Sequence, residues 1–188
     1  MVKKTYELIG ALERLRDNND RARLASLRRG LGQPPGTVSE ATRVIEHILD
    51  EDDPPWVADT LYVIAPLFAF HPVSTKDNRW SNMGDHFHVL FGQDEEPPPN
   101  VERRFLALLS SEPNDLPDSL RQAISLLKSK EVAVNWRQLF DDVQRWLDCR
   151  PESEKKRQEV RLRWSRGFWR LPAQKIASDQ QQTETELA

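Results

Sequence analysis

The stretch Asn135-Trp136-Arg137-Gln138-Leu139-Phe140-Asp141-Asp142-Val143-Gln144-Arg145-Trp146-Leu147 decides the class of fold. Leu139, Phe140, Val143, Trp146 and Leu147 recur at three- and four-residue steps, the period that lays apolar side chains along one face of a helix. Asn135 and Gln138 stand at capping-box spacing ahead of that run, so the helix is expected to start at Asn135. Trp136 and Trp146 fit its inner face and serve as hydrophobic mass.

The same period extends outward in both directions. Toward the N-terminus, Leu120, Ile124 and Leu127 mark a helix opening near Pro117, and Val101, Phe105, Leu108 and Leu109 mark another. Leu8, Ile9, Leu12 and Leu15 form a stripe that Leu24 and Leu27 continue after Asn18-Asn19-Asp20, where an Asn or Asp can cap a new helix. Gly30 supplies a stop, and Gly32-Gln33-Pro34-Pro35-Gly36 reads as a turn or exposed loop. Val44, Ile45, Ile48 and Leu49 mark a further helix. Pro54-Pro55 opens one that carries Trp56, Leu61, Ile64, Leu67 and Phe68, apolar enough to be central, and His71-Pro72 ends it. A polar loop through Lys76, Asp77 and Asn78 leads to a short segment around Phe87, Leu90 and Phe91. Toward the C-terminus, a last helix is expected from about Ser153 to about Arg170. Strict alternation is absent, so the expected class is all-α.

Acidic, proline-rich Gln93-Asp94-Glu95-Glu96-Pro97-Pro98-Pro99 lacks apolar periodicity and favours extended backbone, which makes it the natural linker. The expected organisation is two small helical bundles, 1–92 and 100–170, followed by a polar tail, 171–188, expected to be disordered.

With 38% hydrophobic and 30% charged residues, the chain reads as a soluble protein with much exposed helical surface. No apolar run reaches membrane-spanning length and the first residues lack a secretion-signal pattern, so cytoplasmic residence is expected. The single cysteine, Cys149, excludes an internal disulfide and any multi-cysteine metal site.

Enzyme chemistry finds little support. Asp85, His86 and His88 could supply metal ligands for a nuclease, but no second ligand cluster accompanies them, and helical side chains two apart do not share a face. Asp141 and Asp142 diverge for a similar reason, leaving Asp142 expected at solvent or a cap as readily as in a site. A Gly-rich phosphate loop and a nucleophile elbow are both absent. The expectation is a non-enzyme without metal or cofactor.

Basic residues are the stronger signal. Arg21, Arg23, Arg28 and Arg29 crowd one segment, and Arg157, Arg161, Arg163, Arg166 and Arg170 crowd another, in a chain of net charge -3. Guanidinium groups gathered in an acidic protein point to an anionic partner. Helical spacing puts Arg21 and Arg28 on one side, Arg23 flanking it, with Leu24 and Leu27 toward the core. Arg103, Arg104, Arg121, Lys128, Lys130, Arg137 and Arg145 repeat the basic character on amphipathic helices. Val160, Trp164 and Phe168 follow a four-residue step, so Trp164 and Phe168 belong to the core, with the arginines of the last helix outside and Trp169 left unassigned.

Four segments in order, Arg21 to Gly30, Leu120 to Leu127, Val134 to Leu139 and Arg161 to Phe168, resemble the CasB-type small subunit of the type I-E CRISPR Cascade complex. Asn135 stands where that family often has Asp before Trp, a change compatible with capping. Asn82 to Phe87 matches only loosely and receives no binding role. The resemblance implies a non-catalytic helical subunit that sits as a paired copy within an RNA-guided complex. It would contact the backbones of guide RNA and target DNA, and help hold the displaced strand of an R-loop. Base selection would be left to guide pairing. Arg23, Arg28, Arg29, Arg121, Lys128, Arg137, Arg163 and Arg166 are the implied nucleic-acid contacts, with Arg103 and Arg104 as second choices. The implied partners are guide RNA, target DNA, the other Cascade subunits and a second copy. Read from the residues alone, the arginines would equally suit a helical adaptor docking onto acidic protein surfaces.

Overall fold

The structure, a computed structural model, describes residues 2–75, 81–92 and 96–170. The polar loop expected at Lys76 to Asn78, the linker residues Gln93 to Glu95 and the tail 171–188 lie outside the described residues. Among the described residues there are nine α-helices and no β-strand: α1 (Val2–Asp17), α2 (Arg21–Arg29), α3 (Ser39–Glu46), α4 (Pro55–Phe70), α5 (Met83–His88), α6 (Pro99–Leu109), α7 (Leu116–Ser129), α8 (Trp136–Leu147) and α9 (Glu154–Phe168). None of these helices is long and apolar enough to cross a membrane.

The expected starts and stops are present. Asp20 accepts from the Arg23 N–H (3.0 Å) at the start of α2, and Asn135 accepts from the Gln138 N–H (3.1 Å) at the start of α8. The second half of the α8 box is different: Gln138 Nε2 donates to Asp142 Oδ1 (2.8 Å) instead of turning back. Pro98 is extended (φ -55°, ψ 136°), and Pro99 opens α6, where its missing N–H costs nothing. The α5 start carries a full box that sequence reading overlooked. Asn82 accepts from the Gly84 N–H (2.8 Å), and Asp85 accepts from the Asn82 N–H (2.9 Å).

Helix α4 is the axis of the molecule. Val57, Leu61, Ile64, Ala65, Leu67, Phe68 and Ala69 are buried along it, which requires neighbours on most sides. Helices α1, α2, α3, α7 and α8 all pack against it. Its exit is clipped to the α7–α8 connection: His71 Nε2 donates to the Val132 carbonyl (2.7 Å), Trp136 Nε1 donates to the Val73 carbonyl (3.3 Å), and a lone parallel bridge joins Ser74 to Val134. Lys4, buried at the start of α1, reaches Asp50 (2.8 Å), Asp53 (2.7 Å) and the Ile48 carbonyl, tying α1 to the α3–α4 turn.

Helices from the two sides of the proline-rich segment pack on one another, α4 on α8 and α5 on α9. The second crossing is made by glycines. Gly84 and Gly167 bring α5 and α9 so close that backbone touches backbone. Phe168 then stacks on Phe105 of α6 (3.9 Å between centroids, 6° between planes), as its expected core position requires.

His86 sits beneath this crossing. Its Nε2 accepts from the Asn135 N–H (3.0 Å), so the ring must be neutral there, and burial lowers its pKa from the ordinary 6.5 to about 4. On acidification the unfolded chain therefore takes up the proton first. Stability contributed by the neutral ring is present above pH 6.5 and is lost as pH falls toward 4, at ~1.4 kcal/mol per pH unit. Urea denaturation between pH 7 and pH 4 should show about 3 kcal/mol of this loss, and His86→Gln, whose amide oxygen can still accept, should show a shallower fall. Equal slopes for both proteins would remove His86 as the cause.

Candidate nucleic-acid interface

The two arginine clusters have opposite fates in three dimensions. The C-terminal one is largely spent on the fold. Arg157 Nε donates to the Trp146 carbonyl (3.2 Å) and its guanidinium also meets Glu154 (2.7 Å). Arg161 donates to the Ser111 carbonyl (2.9 Å) and lies over the Trp146 ring. Arg163 is turned onto Asp142, and Arg170 lies 3.6 Å from Asp85. Of the residues singled out on α9, Arg166 keeps an exposed guanidinium without a carboxylate partner among the described residues.

Asp142 corrects the sequence reading. It is fully buried, not at solvent or a cap, and accepts from Trp164 Nε1 (2.6 Å), Gln138 Nε2 and Arg163. Burial pushes its pKa up, and the Arg163 charge and these bonds oppose that shift. The neighbouring Asp141 faces another way and accepts from Thr5 of α1 (2.7 Å). The two carboxylates thus join α8 to different helices. His86 and His88 likewise carry structural bonds, His88 Nδ1 donating to the Phe168 carbonyl (3.0 Å).

The N-terminal cluster turns outward. Arg28 and Arg29 are exposed and have no carboxylate partner among the described residues, and the same holds for Arg103, Arg104 and Arg121. Arg23 is exposed but stays 3.5 Å from Asp20, its own helix cap. Arg137 is shared between Glu13 (3.3 Å) and the face of Tyr6 (4.9 Å).

Tertiary structure gathers part of the set into one groove of about 610 Å³. Arg21 and Arg28, one above the other on α2, form one bank, with Leu24 between them. Lys128 at the end of α7 forms the other, its ammonium 3.8 Å from the centroid of the Phe70 ring. His71 and Val73 complete the floor at the exit of α4, and Glu131 is the one carboxylate among the described residues that line the groove. Among the described residues that line it, three cations from two helices nearly a hundred residues apart in sequence stand against one anion, which gives the groove a net positive lining. Arg103 and Arg104 on α6, and Arg166 on α9, lie outside this groove. Arg121 borders the next depression along α7. Arg21 carried a legible signal, its seven-residue step to Arg28, while nothing local announced Phe70 as a platform for Lys128.

Comparison with known proteins identifies the lineage. The family model for CRISPR-associated protein Cse2 matches residues 23–169, which take in almost all of α2 and every helix after it. A CRISPR-associated protein Cse2 of Thermus thermophilus is 30% identical over 148 residues, 77% of this chain and 77% of that protein. The crystal structure of CasB from Thermus thermophilus is similar with a TM-score of 0.68 at 26% identity, covering 88% of this chain and 97% of that one. CasB of M. ruber is similar with a TM-score of 0.65 at 26% identity, covering 93% and 97%. A chain of a CRISPR RNA-guided surveillance complex shares the fold, with a TM-score of 0.71 at 22% identity over 89% and 94% of the two chains. The chain therefore belongs to the CRISPR-associated Cse2 family, the CasB-type small subunit of type I-E Cascade, a structural and non-catalytic component.

Proposed function

We propose that this chain holds nucleic-acid backbone inside an RNA-guided antiviral complex in the cytoplasm, contacting guide RNA and target DNA and stabilising the R-loop and its displaced strand. Its other partners there are the remaining Cascade subunits and a second copy of itself. The observation that supports this reading is the groove lined by Arg21, Arg28 and Lys128, with Glu131 the one carboxylate among the described residues that line it. Phosphate neutralisation without base-edge readout is what a subunit needs when sequence is chosen by guide pairing. Arg29, Arg103, Arg104, Arg121 and Arg166 extend the positive surface, while Arg23, Arg137 and Arg163 contribute through guanidinium groups already shared with carboxylates.

Fluorescence anisotropy of a labelled single strand, titrated with the purified chain over a range of salt, tests the reading. Binding should be saturable at low salt, indifferent to sequence and steeply weakened as salt rises. Replacing Arg28 and Lys128 together with Ala should lower the slope of log K against log salt by roughly 1.4, at ~0.7 per lost phosphate contact on a single strand. An unchanged slope would exclude these two residues. Absence of saturable binding at low salt would favour an adaptor that docks its arginines on acidic protein surfaces.

A further inference from the structure

The three segments that form the basic groove continue into a second depression of about 410 Å³, and its lining has a different character. Helix α2 gives Arg28 to the groove and its C-terminal turn, Gly30 to Gly32, to the cleft. Helix α4 gives Ala69 and Phe70 to the groove, and Trp56, Asp59 and Tyr62 to the cleft. Helix α7 gives Lys128 to the one and Arg121 to the other, seven residues or ~10 Å of helix apart. The two depressions therefore follow one another along α4.

The cleft pairs aromatic walls with a few polar groups. Trp56 and Tyr62 are half-buried, and each is held in place: the Tyr62 hydroxyl donates to Glu46 (2.9 Å), and the Arg150 guanidinium lies 5.0 Å from the centre of the Trp56 ring. Asp59 presents a carboxyl with no cationic partner among the described residues, and partial burial raises its pKa. Pro66, also on this wall, has no N–H to offer the Tyr62 carbonyl one turn before it. Helix α7 adds a second carboxylate, Asp118, and one turn further on the Arg121 guanidinium. Its Nη1 lies 3.1 Å from where a Cβ on Gly32 would stand, and Gly32 has φ +71°, so this glycine both permits the turn and leaves room for the guanidinium.

We infer that this cleft is a subsite for one unpaired nucleobase of the strand whose phosphates lie in the adjoining basic groove. This rests on the nucleic-acid reading above and deepens it. A nucleobase has flat apolar faces and an edge carrying both donors and acceptors, which matches aromatic walls flanked by two carboxyls and a guanidinium. A base locked in a duplex cannot enter, because its faces are covered by its neighbours and its edge by its partner. Stacking is tolerant of base identity, so the subsite selects single strands over duplex without choosing sequence. It also supplies affinity that salt does not screen, whereas the groove's contribution is electrostatic.

The test uses the full chain and three probes of equal length and phosphate number: an oligothymidine strand, a strand of abasic sites, and a duplex. The wild type should bind oligothymidine roughly five- to a hundredfold more tightly than the abasic strand, the range expected for one stacked base. Trp56→Ala should remove that difference while leaving the salt slope in place, and Arg28→Ala with Lys128→Ala should lower the slope while keeping the difference. Asp59→Ala, an exposed change that the fold tolerates, should reduce the difference in part. Equal binding of the two single strands by the wild type overturns the subsite with no variant needed. A base preference that folded Trp56→Ala retains, with circular dichroism reporting the fold, overturns its location, as does an abasic strand weaker only through its salt slope. If neither strand binds, the nucleic-acid reading itself fails, which is a different result.

Discussion

Gly84→Ala is expected to loosen the whole C-terminal side of the molecule. A Cβ at position 84 would stand 1.7 Å from the Trp164 carbonyl oxygen and 2.7 Å from the Phe168 amide nitrogen, both backbone atoms that cannot swing aside. Position 167 meets the same crossing from the other side, at 2.8 Å from Asn82 Oδ1 and from the Asp85 nitrogen. One methyl group must therefore push α5 and α9 apart. That shift pulls Phe168 off Phe105 and strains the bond between Trp164 and Asp142. Overpacking typically costs 1–3 kcal/mol, and a clash between two backbones belongs at or above the top of that range. At about 3 kcal/mol, the midpoint of thermal unfolding should drop by roughly 6–12 °C for a chain of this size. Gly10→Ala is the contrast. Its nearest neighbour would be the far end of the Arg14 side chain at 3.5 Å, an ordinary contact distance, so relief of the helical glycine should leave stability unchanged or raised by ~0.5–1 kcal/mol. A Gly84→Ala protein that melts with the wild type would mean the two helices are not in backbone contact.

Asp142→Ala is the second large effect. It removes in one step the acceptor for the Trp164 indole N–H, the Gln138 amide and the Arg163 guanidinium, all at a position with no solvent access. Removing one partner of a buried ion pair costs ~3–5 kcal/mol, and since Arg163 is 37% exposed and partly hydrated, the lower end applies. Urea denaturation at pH 7 measures it, with Asp142→Asn falling between because it keeps an acceptor oxygen. Arg163→Ala probes the same network from outside. The Asp142 pKa is already raised by burial, and loss of the cation raises it further. A carboxyl whose folded pKa exceeds its unfolded one favours folding while protonated and loses that advantage as pH rises through the unfolded value toward the folded one. The deficit of Arg163→Ala against the wild type should thus be largest near neutrality and shrink toward pH 4. A deficit independent of pH would show that Arg163 acts by packing alone.

Much of the fold could be read from local pattern because the physics involved is local. The inner faces marked by Leu120, Ile124 and Leu127, by Trp136 and Trp146, and by Trp164 and Phe168 are all buried. The caps at Asp20 and Asn135 form where an Asn or Asp precedes an amphipathic run. Asp142 was not legible. Helical spacing separates it from Asp141 but does not say that α9 brings an indole to it. The same gap affects the basic residues, since exposure and pairing depend on which carboxylates other helices deliver. Arg163 and Arg28 look alike in sequence, yet one meets a buried aspartate and the other faces an open groove.

By itself, then, the sequence determined an all-helical chain, the inward face of each major helix, an arginine surplus in two places and a resemblance to one family, because periodicity, capping chemistry and motif order are properties of contiguous residues. Only the tertiary structure decided that the C-terminal arginines serve mainly the packing of α9, that glycines let α5 and α9 touch, and that α2, α4 and α7 align a cationic groove with an aromatic cleft. Those outcomes depend on pairs of residues as much as a hundred and ten positions apart, such as Arg21 and Glu131, and such pairs meet only after burial of the apolar faces has set the helices against one another.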